Sequence, residues 1–165
     1  MTIHGRALKF GNNVDTDVIL PGQYLVLTDP MELAKHAMEG LDPTFTRKIH
    51  EGAIIVAGKN FGCGSSREQA PLALKHAGVK CVVAESFARI FYRNAITIGL
   101  PVLECPGVPS KVEEGDELVV DLGAGEVENK SKNLVLQATQ LPEFIMEILD
   151  DGGLIEHLRR RIKSK

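Results

Sequence analysis

Cysteine is scarce in this chain. The three present, Cys63, Cys81 and Cys105, include no C-x-x-C pair. An odd, scattered set argues against a disulfide framework and against a self-contained zinc or iron–sulfur site. Long apolar runs are missing too, so no window reaches the length of a membrane span. The opening Met1-Thr2-Ile3-His4-Gly5-Arg6 shows neither an apolar h-region nor a cleavage pattern. The expected location is therefore cytoplasmic, with no membrane association. Charge of one sign is also lacking: 19 Lys and Arg against 22 Asp and Glu leave a formal net charge of −3, which offers nucleic acid no grip. The one basic run, Arg159-Arg160-Arg161 with Lys163 and Lys165, suits the solvated C-terminal end of a helix, where cations complement the dipole. The histidines, His4, His36, His50, His76 and His157, follow no metal-ligand spacing and are assigned no role.

What remains is an ordinary globular composition in a chain of 165 residues, long enough for one well-packed core, so a single domain over residues 1–165 is expected. Residues from Ile3 to Phe10 read as a strand ended by Gly11-Asn12-Asn13. A helix is predicted from Met31 to Met38 and another short one from Pro43 to His50. The apolar run Ala53-Ile54-Ile55-Val56-Ala57 is a strand, followed by a glycine-rich turn, a helix to about Ala77 that stops at Gly78, and a second buried strand over Val79–Ala84. Strand, helix and strand in that order are the signature of a parallel sheet. A helix from Ser86 to Ile98 leads to a short strand at Val102-Leu103-Glu104. Beyond Pro109 the texture changes to short strands at Glu117–Leu122, Gly125–Glu128 and Leu134–Ala138, separated by turn residues, which predicts an antiparallel meander. Helical stretches at Pro142–Leu149 and Leu154–Ile162 close the chain. The fold class is α/β, with a parallel centre and a smaller antiparallel β part.

The chemistry concentrates in the turn Gly62-Cys63-Gly64-Ser65-Ser66-Arg67-Glu68. A glycine turn between a strand and a helix offers free backbone N–H groups and a helix dipole to an anion. Ser66 with Gln69 fits an S-x-x-Q capping box, and Arg67 supplies a planar fork for a carboxylate or phosphate. The turn is not a P-loop, because the G-x-x-x-x-G-K-[ST] order is absent. It is not a dinucleotide fingerprint either, because Arg67 stands where the third glycine would pack helix on strand. Two readings survive: a small anion held beside a serine, or a tight turn in which Ser66 only caps the helix.

Lys59-Asn60-Phe61-Gly62-Cys63-Gly64-Ser65-Ser66-Arg67-Glu68 resembles the signature of the aconitase-like hydro-lyases, in their swivelling domain. Asp15-Thr16-Asp17, Ser86-Phe87-Ala88-Arg89-Ile90, Asn94 and Gly99-Leu100-Pro101 match in the same order, so the resemblance runs from about Gly5 to Pro142. It implies a swivelling three-layer β/β/α domain. A free-standing chain of this length resembles the small subunits of the two-chain branch, which isomerise isopropylmalate and, in relatives, citramalate or homoaconitate. The resemblance further implies that this chain binds no cofactor itself. A large subunit of the dehydratase would carry a [4Fe–4S] cluster acting as a Lewis acid on the substrate hydroxyl. Ser65 would take a proton from carbon, and Arg67, with Ser66 and Gly64, would hold a carboxylate of a small di- or tricarboxylate substrate. A homo-oligomer of the isolated chain is compatible with it. A different class, a non-catalytic anion-binding module using Ser66 and Arg67, stays open from the residues alone.

The same resemblance gives Tyr24-Leu25-Val26-Leu27-Thr28 a role as a specificity loop, with Val26 facing the variable group of the substrate. An arginine there accompanies a third carboxylate; a small apolar residue accompanies an alkyl group. The physics agrees, since a buried carboxylate without a cation is heavily penalised whereas Val26 can pack on an isopropyl group. The plainer reading makes Val26 a core strand residue. Asp15-Thr16-Asp17 reads as an Asx/Thr-rich turn rather than a metal site. Cys63 reads as a small packing residue rather than a nucleophile. Arg89 and Arg93, at i, i+4 on one helix face, either position the active loop, contact the large subunit or form a solvated face.

Overall fold

The computed structural model describes residues 1–49 and 52–164. His50, Glu51 and Lys165 lie outside the described residues, and with them the end of the helix predicted to reach His50 and the last cation of the basic tail. The chain runs through β1 (Thr2–Lys9), α1 (Thr16–Ile19), a 3-10 turn at Gly22–Tyr24, α2 (Pro30–Ala34), α3 (Phe45–Lys48), β2 (Ala53–Ala57), α4 (Gln69–Ala77), β3 (Val79–Ala84), α5 (Arg89–Ile98) and β4 (Val102–Glu104). It continues through α6 (Val108–Lys111), β5 (Glu117–Asp121), β6 (Glu126–Asn129), β7 (Leu134–Gln137), α7 (Glu143–Asp150) and α8 (Leu154–Lys163).

The seven strands form one mixed sheet in the order β4-β3-β2-β1-β5-β6-β7. Strands β1 to β4 are mutually parallel, and β5, β6 and β7 are added antiparallel on the other side of β1. The antiparallel part expected from the turn-rich texture is thus continuous with the parallel part, joined through β1, which pairs Leu8 with Ile55 on one side and His4 with Val119 on the other. The two halves differ as their sequences do. Every residue of β2 is buried and β3 exposes only Lys80, as helix-covered parallel strands require. In β6 buried and exposed residues alternate, leaving one face wet. Helix α4 turns Ala70, Ala73 and Leu74 into the core, and α5 turns Phe91, Ala95 and Ile96 inward. Each large apolar side chain so buried contributes about 1.5–3 kcal/mol relative to exposure. Pro71 sits in the first turn of α4, where its missing N–H costs no helical bond.

Three sequence expectations shift. The helix predicted from Met31 to Met38 is helical only to Ala34, because the Met38 and Gly40 N–H groups bond to Ile19 O at 2.7 Å and Val18 O at 3.2 Å instead of to their own helix. The helix predicted from Ser86 begins at Arg89; Ser86 to Ala88 stay extended against the glycine turn. Residues Tyr24 to Thr28 form the end of a 3-10 turn and a loop, not a core strand, and Val26 is 83% exposed. Among the described residues no helix is long and apolar enough to cross a membrane. The basic tail is the exposed end of α8, where Arg159 and Arg160 pair with Glu156 and Asp151.

Candidate active site

Three segments meet where the adjacent parallel strands β1, β2 and β3 end. Ligands of α/β sheets bind outside the carboxyl ends of such strands. Residues 14–17 follow β1, the glycine turn follows β2, and Ser86–Ala88 with the start of α5 follow β3. The glycine turn is stitched to both neighbours by backbone bonds. Gly62 N–H donates to Val14 O at 2.7 Å and Thr16 N–H to Cys63 O at 2.8 Å, while Phe61 N–H donates to Ser86 O at 3.1 Å and Ala88 N–H to Phe61 O at 2.9 Å. Ser86 Oγ also accepts from Asn60 N–H at 2.8 Å. Below the turn, Phe61 packs edge-on against Phe87 and Phe91, with ring centroids 6.1 and 5.2 Å away. Gly62 permits this approach: at φ +84° with a Cβ position 2.2 Å from Phe91 Cγ, no other residue fits.

The Asp15-Thr16-Asp17 segment is the Asx turn expected, and it does more than order its own loop. Asp15 caps α1, its Oδ1 accepting from Asp17 N–H at 2.8 Å and Val18 N–H at 3.0 Å. Buried Thr16 donates its hydroxyl to the carbonyl of Ser65 at 2.7 Å, fixing the peptide that follows the proposed base. Asp17 accepts from Arg67 Nη1 at 2.9 Å, and the same nitrogen donates to Leu20 O at 3.1 Å. Arg67 therefore enters the site oriented by α1, with part of its fork already engaged. Exposed pairs of this kind add little stability; here the pair aims a guanidinium.

Ser65 and Ser66 are exposed, and their N–H groups find no backbone acceptor among the described residues. They open onto a cleft of about 200 Å³, with Ser65, Ser66 and Arg67 on one wall and Arg89, Ile90 and Asn94 of α5 on the other. The expected Ser66–Gln69 capping box is not formed. Helix α4 starts at Gln69 after an N-cap Glu68 that makes no side-chain cap bond, so Ser66 is free of that duty. The helix start that lines the cleft is that of α5, which also lacks a side-chain cap and whose first residues, Arg89 to Phe91, border it. Reading the dipole from α4 alone missed it. The uncapped Ser86-Phe87-Ala88-Arg89 order was the available signal, had it been read as a strap followed by a helix start. Arg89 and Arg93 are exposed on α5, and only Arg89 reaches the cleft.

Val26 does not line this cleft. Its loop nevertheless leaves from the site, because Gly22 N–H donates to Asp17 Oδ1 at 3.2 Å and a Cβ on Gly22 would stand 3.5 Å from Arg67 Nη2. Cys63, half-buried in the turn, has its thiol pKa raised by burial and by the Asp15 carboxylate. Burial pushes Cys81 up to about 12 and Cys105 to about 11. The three thiols sit on separate elements, and among the described residues no three His, Cys, Asp or Glu side chains gather as metal ligands. The donor set of this chain does not fit an iron–sulfur cluster.

The sequence profile of the aconitase C-terminal domain matches residues 31–107. The isopropylmalate/citramalate isomerase small subunit of Methanocaldococcus jannaschii is 61% identical over 160 residues, covering 97% of this chain and 95% of the relative. The 3-isopropylmalate dehydratase small subunit of Methanosarcina acetivorans is 56% identical over 163 residues, covering 99% of this chain and 100% of the relative. A crystal structure of a 3-isopropylmalate dehydratase from Methanocaldococcus jannaschii superposes with a TM-score of 0.93 at 49% identity, covering 99% of this chain and 98% of that one.

Proposed function

The chain belongs to the family of 3-isopropylmalate dehydratase small subunits, aconitase-like hydro-lyases that act as heteromers, and from that premise we propose that the Ser65–Arg67 cleft is its half of an active site shared with the large subunit. The reaction interconverts 2-isopropylmalate and 3-isopropylmalate by loss and return of water, a step of leucine biosynthesis. Family membership sets aside the non-catalytic anion-binding module.

In this reading Ser65 Oγ takes the proton from the carbon next to the departing hydroxyl and later returns a proton to the neighbouring carbon. A serine hydroxyl is a very poor base in water, so its anion needs donors already in place. The unpaired N–H groups of the turn and the start of α5 are the donors this chain offers. Arg67, aimed by Asp17, holds a substrate carboxylate through the nitrogens its own contacts leave free. Ser66 and the Gly64 backbone complete that cradle. A [4Fe–4S] cluster on the large subunit would supply Lewis-acid chemistry at the substrate hydroxyl. On assembly the exposed Val26 reaches the alkyl group of the substrate.

The observation that carries this reading is the convergence of Thr16, Asp17 and α5 on the Ser65–Arg67 turn, which fixes an exposed serine and a guanidinium on one cleft. Citramalate is kept as a second substrate because the 61% identical relative is named for both, and Val26 can pack on a methyl as on an isopropyl group. The test is an anaerobic assay of the two subunits together on isopropylmalate, citramalate and homocitrate. Turnover of the first two is expected; no hydration or dehydration of any of them sinks the proposal.

A further inference from the structure

The loop that carries Val26 is held at its root by two residues, His36 and Glu39, that carry no recognisable motif. Tyr24 ends the Gly22–Tyr24 turn, and its ring lies flat on the His36 imidazole, with centroids 3.6 Å apart and planes 9° from parallel. Its hydroxyl donates to Glu39 Oε1 at 2.9 Å, and Glu39 Oε2 meets His36 Nδ1 at 2.5 Å. Both carboxylate oxygens are thus spent on closing a three-membered ring of contacts: Tyr24 on His36, His36 to Glu39, Glu39 to Tyr24.

This ring is anchored, not floating. Between His36 and Glu39, Met38 is fully buried at φ +58°, and its N–H donates to Ile19 O at 2.7 Å. Gly40 lies against Val18, where a Cβ would stand 2.8 Å from Val18 Cα, and its N–H donates to Val18 O at 3.2 Å, so the segment is tied closely to α1. Helix α1 is the element that holds Ser65 through Thr16 and Arg67 through Asp17. The root of the Val26 loop and the reactive turn are therefore referred to the same short helix. From Leu25 to Thr28 the backbone bonds found among the described residues are local, Leu25 N–H to Gly22 O at 3.1 Å and Leu27 N–H to Tyr24 O at 3.0 Å, while the Leu25 and Leu27 side chains pack on the core.

We infer that His36 and Glu39 are positioning residues for substrate discrimination: by clamping Tyr24 they fix where the loop presents Val26, without touching the substrate. This rests on the proposed role of Val26. A valine discriminates alkyl groups only if its place relative to the carboxylate anchor is fixed, since misplacement by about 1 Å forfeits a contact of this kind. The electrostatics agree. Although partial burial opposes it, the hydrogen bonds from His36 and Tyr24 bring the Glu39 carboxyl below its ordinary value, and the bond to Glu39 raises the Tyr24 phenol.

The experiment uses the reconstituted two-subunit enzyme and compares kcat/KM for 2-isopropylmalate and citramalate. Glu39→Ala is expected to lower the isopropylmalate value about ten-fold and to leave citramalate within about two-fold, because a methyl group asks less of the Val26 contact. Glu39→Gln, which keeps an acceptor for Tyr24, is expected to restore most of the discrimination. In the isolated subunit, amide hydrogen exchange at Leu25 and Leu27 is expected to quicken in Glu39→Ala and not in Glu39→Gln. Equal losses on both substrates, an unchanged ratio, or unchanged exchange overturn the inference. If Val26→Ala shifts the ratio and Glu39→Ala does not, the clamp is wrong and the Val26 reading stands. If the wild-type enzyme turns over neither substrate, the functional reading falls and the clamp with it.

Discussion

The turn that carries Ser65 is bonded onto residues 14–20, the loop that carries Val26 continues from that same stretch of chain, and the two are held in opposite ways. The turn is bonded on both flanks, through Val14, Thr16 and Asp17 on one side and Ser86 and Ala88 on the other, over a floor of packed phenylalanines. The loop is tied by the side chain of Tyr24 and by Leu25 and Leu27 packing on the core, and it leaves Val26 83% exposed. A group that must move a proton needs its geometry set before the substrate arrives. On the proposed reading, a residue that sorts alkyl groups completes its surface only on assembly with the large subunit. The same α1 serves both needs by bracing the reactive turn directly and the Val26 loop at its root.

Removing the group at the centre of the rigid region is the strongest way to break this contrast. Ser65→Ala in the reconstituted enzyme is expected to lower kcat by at least about 1,000-fold, the scale seen when a catalytic base or nucleophile is deleted. Assembly with the large subunit, followed by gel filtration, is expected to be unchanged, because among the described residues the Ser65 hydroxyl has no hydrogen-bond partner, whereas its carbonyl accepts from Thr16. Near wild-type kcat in that variant means that Ser65 is not the base.

A smaller and more selective effect is expected in the exposed loop. Val26→Arg places a cation where a third carboxylate would sit. The ratio of kcat/KM for homocitrate over isopropylmalate is expected to rise at least about ten-fold, within the roughly 1–3 kcal/mol that one specificity contact supplies. A ratio that does not move shows that the loop never reaches the substrate, and the comparison then loses one of its sides.

The rigid half of this comparison was the more legible in the sequence. An apolar Ala53–Ala57 run, a glycine turn and a second apolar run state a parallel βαβ unit directly, and the structure has it. Ser65, Ser66 and Arg67 stood out because glycine, hydroxyl and guanidinium occur together. Long-range partnerships could not be seen. Nothing local says that Thr16 bonds a carbonyl 49 residues away, or that Ser66 is relieved of capping because α4 starts at Gln69. The plainer alternative for Tyr24–Thr28, a core strand, rests on Tyr, Val and Leu favouring one, yet the stretch pairs with no strand among the described residues and that propensity is overridden. His36 and Glu39 were passed over for a related reason. Their i, i+3 spacing is unremarkable until Tyr24, twelve residues earlier, is laid across it.

The smallest expected effect tests whether rigidity, rather than reactivity, explains the turn. Cys63 stands two residues before Ser65 in the same turn, where a thiolate would be a competing nucleophile, although it does not line the cleft. Its surroundings argue the other way: burial and the Asp15 carboxylate both raise its pKa, so at neutral pH it is a thiol. A low thiol pKa calls for nearby cations or a helix start, but the guanidinium of Arg67 is already turned toward Asp17 and Leu20. What Cys63 contributes is its backbone, whose carbonyl accepts from Thr16 N–H at 2.8 Å and ties the turn to α1. Serine keeps that backbone and nearly the same volume. Cys63→Ser is therefore expected to hold kcat within about two-fold, and to leave the enzyme insensitive to a thiol alkylating agent directed at this position. Loss of turnover in that variant, with the fold intact by circular dichroism, returns chemistry to the thiol and removes Ser65 from its place as the sole reactive group of the turn.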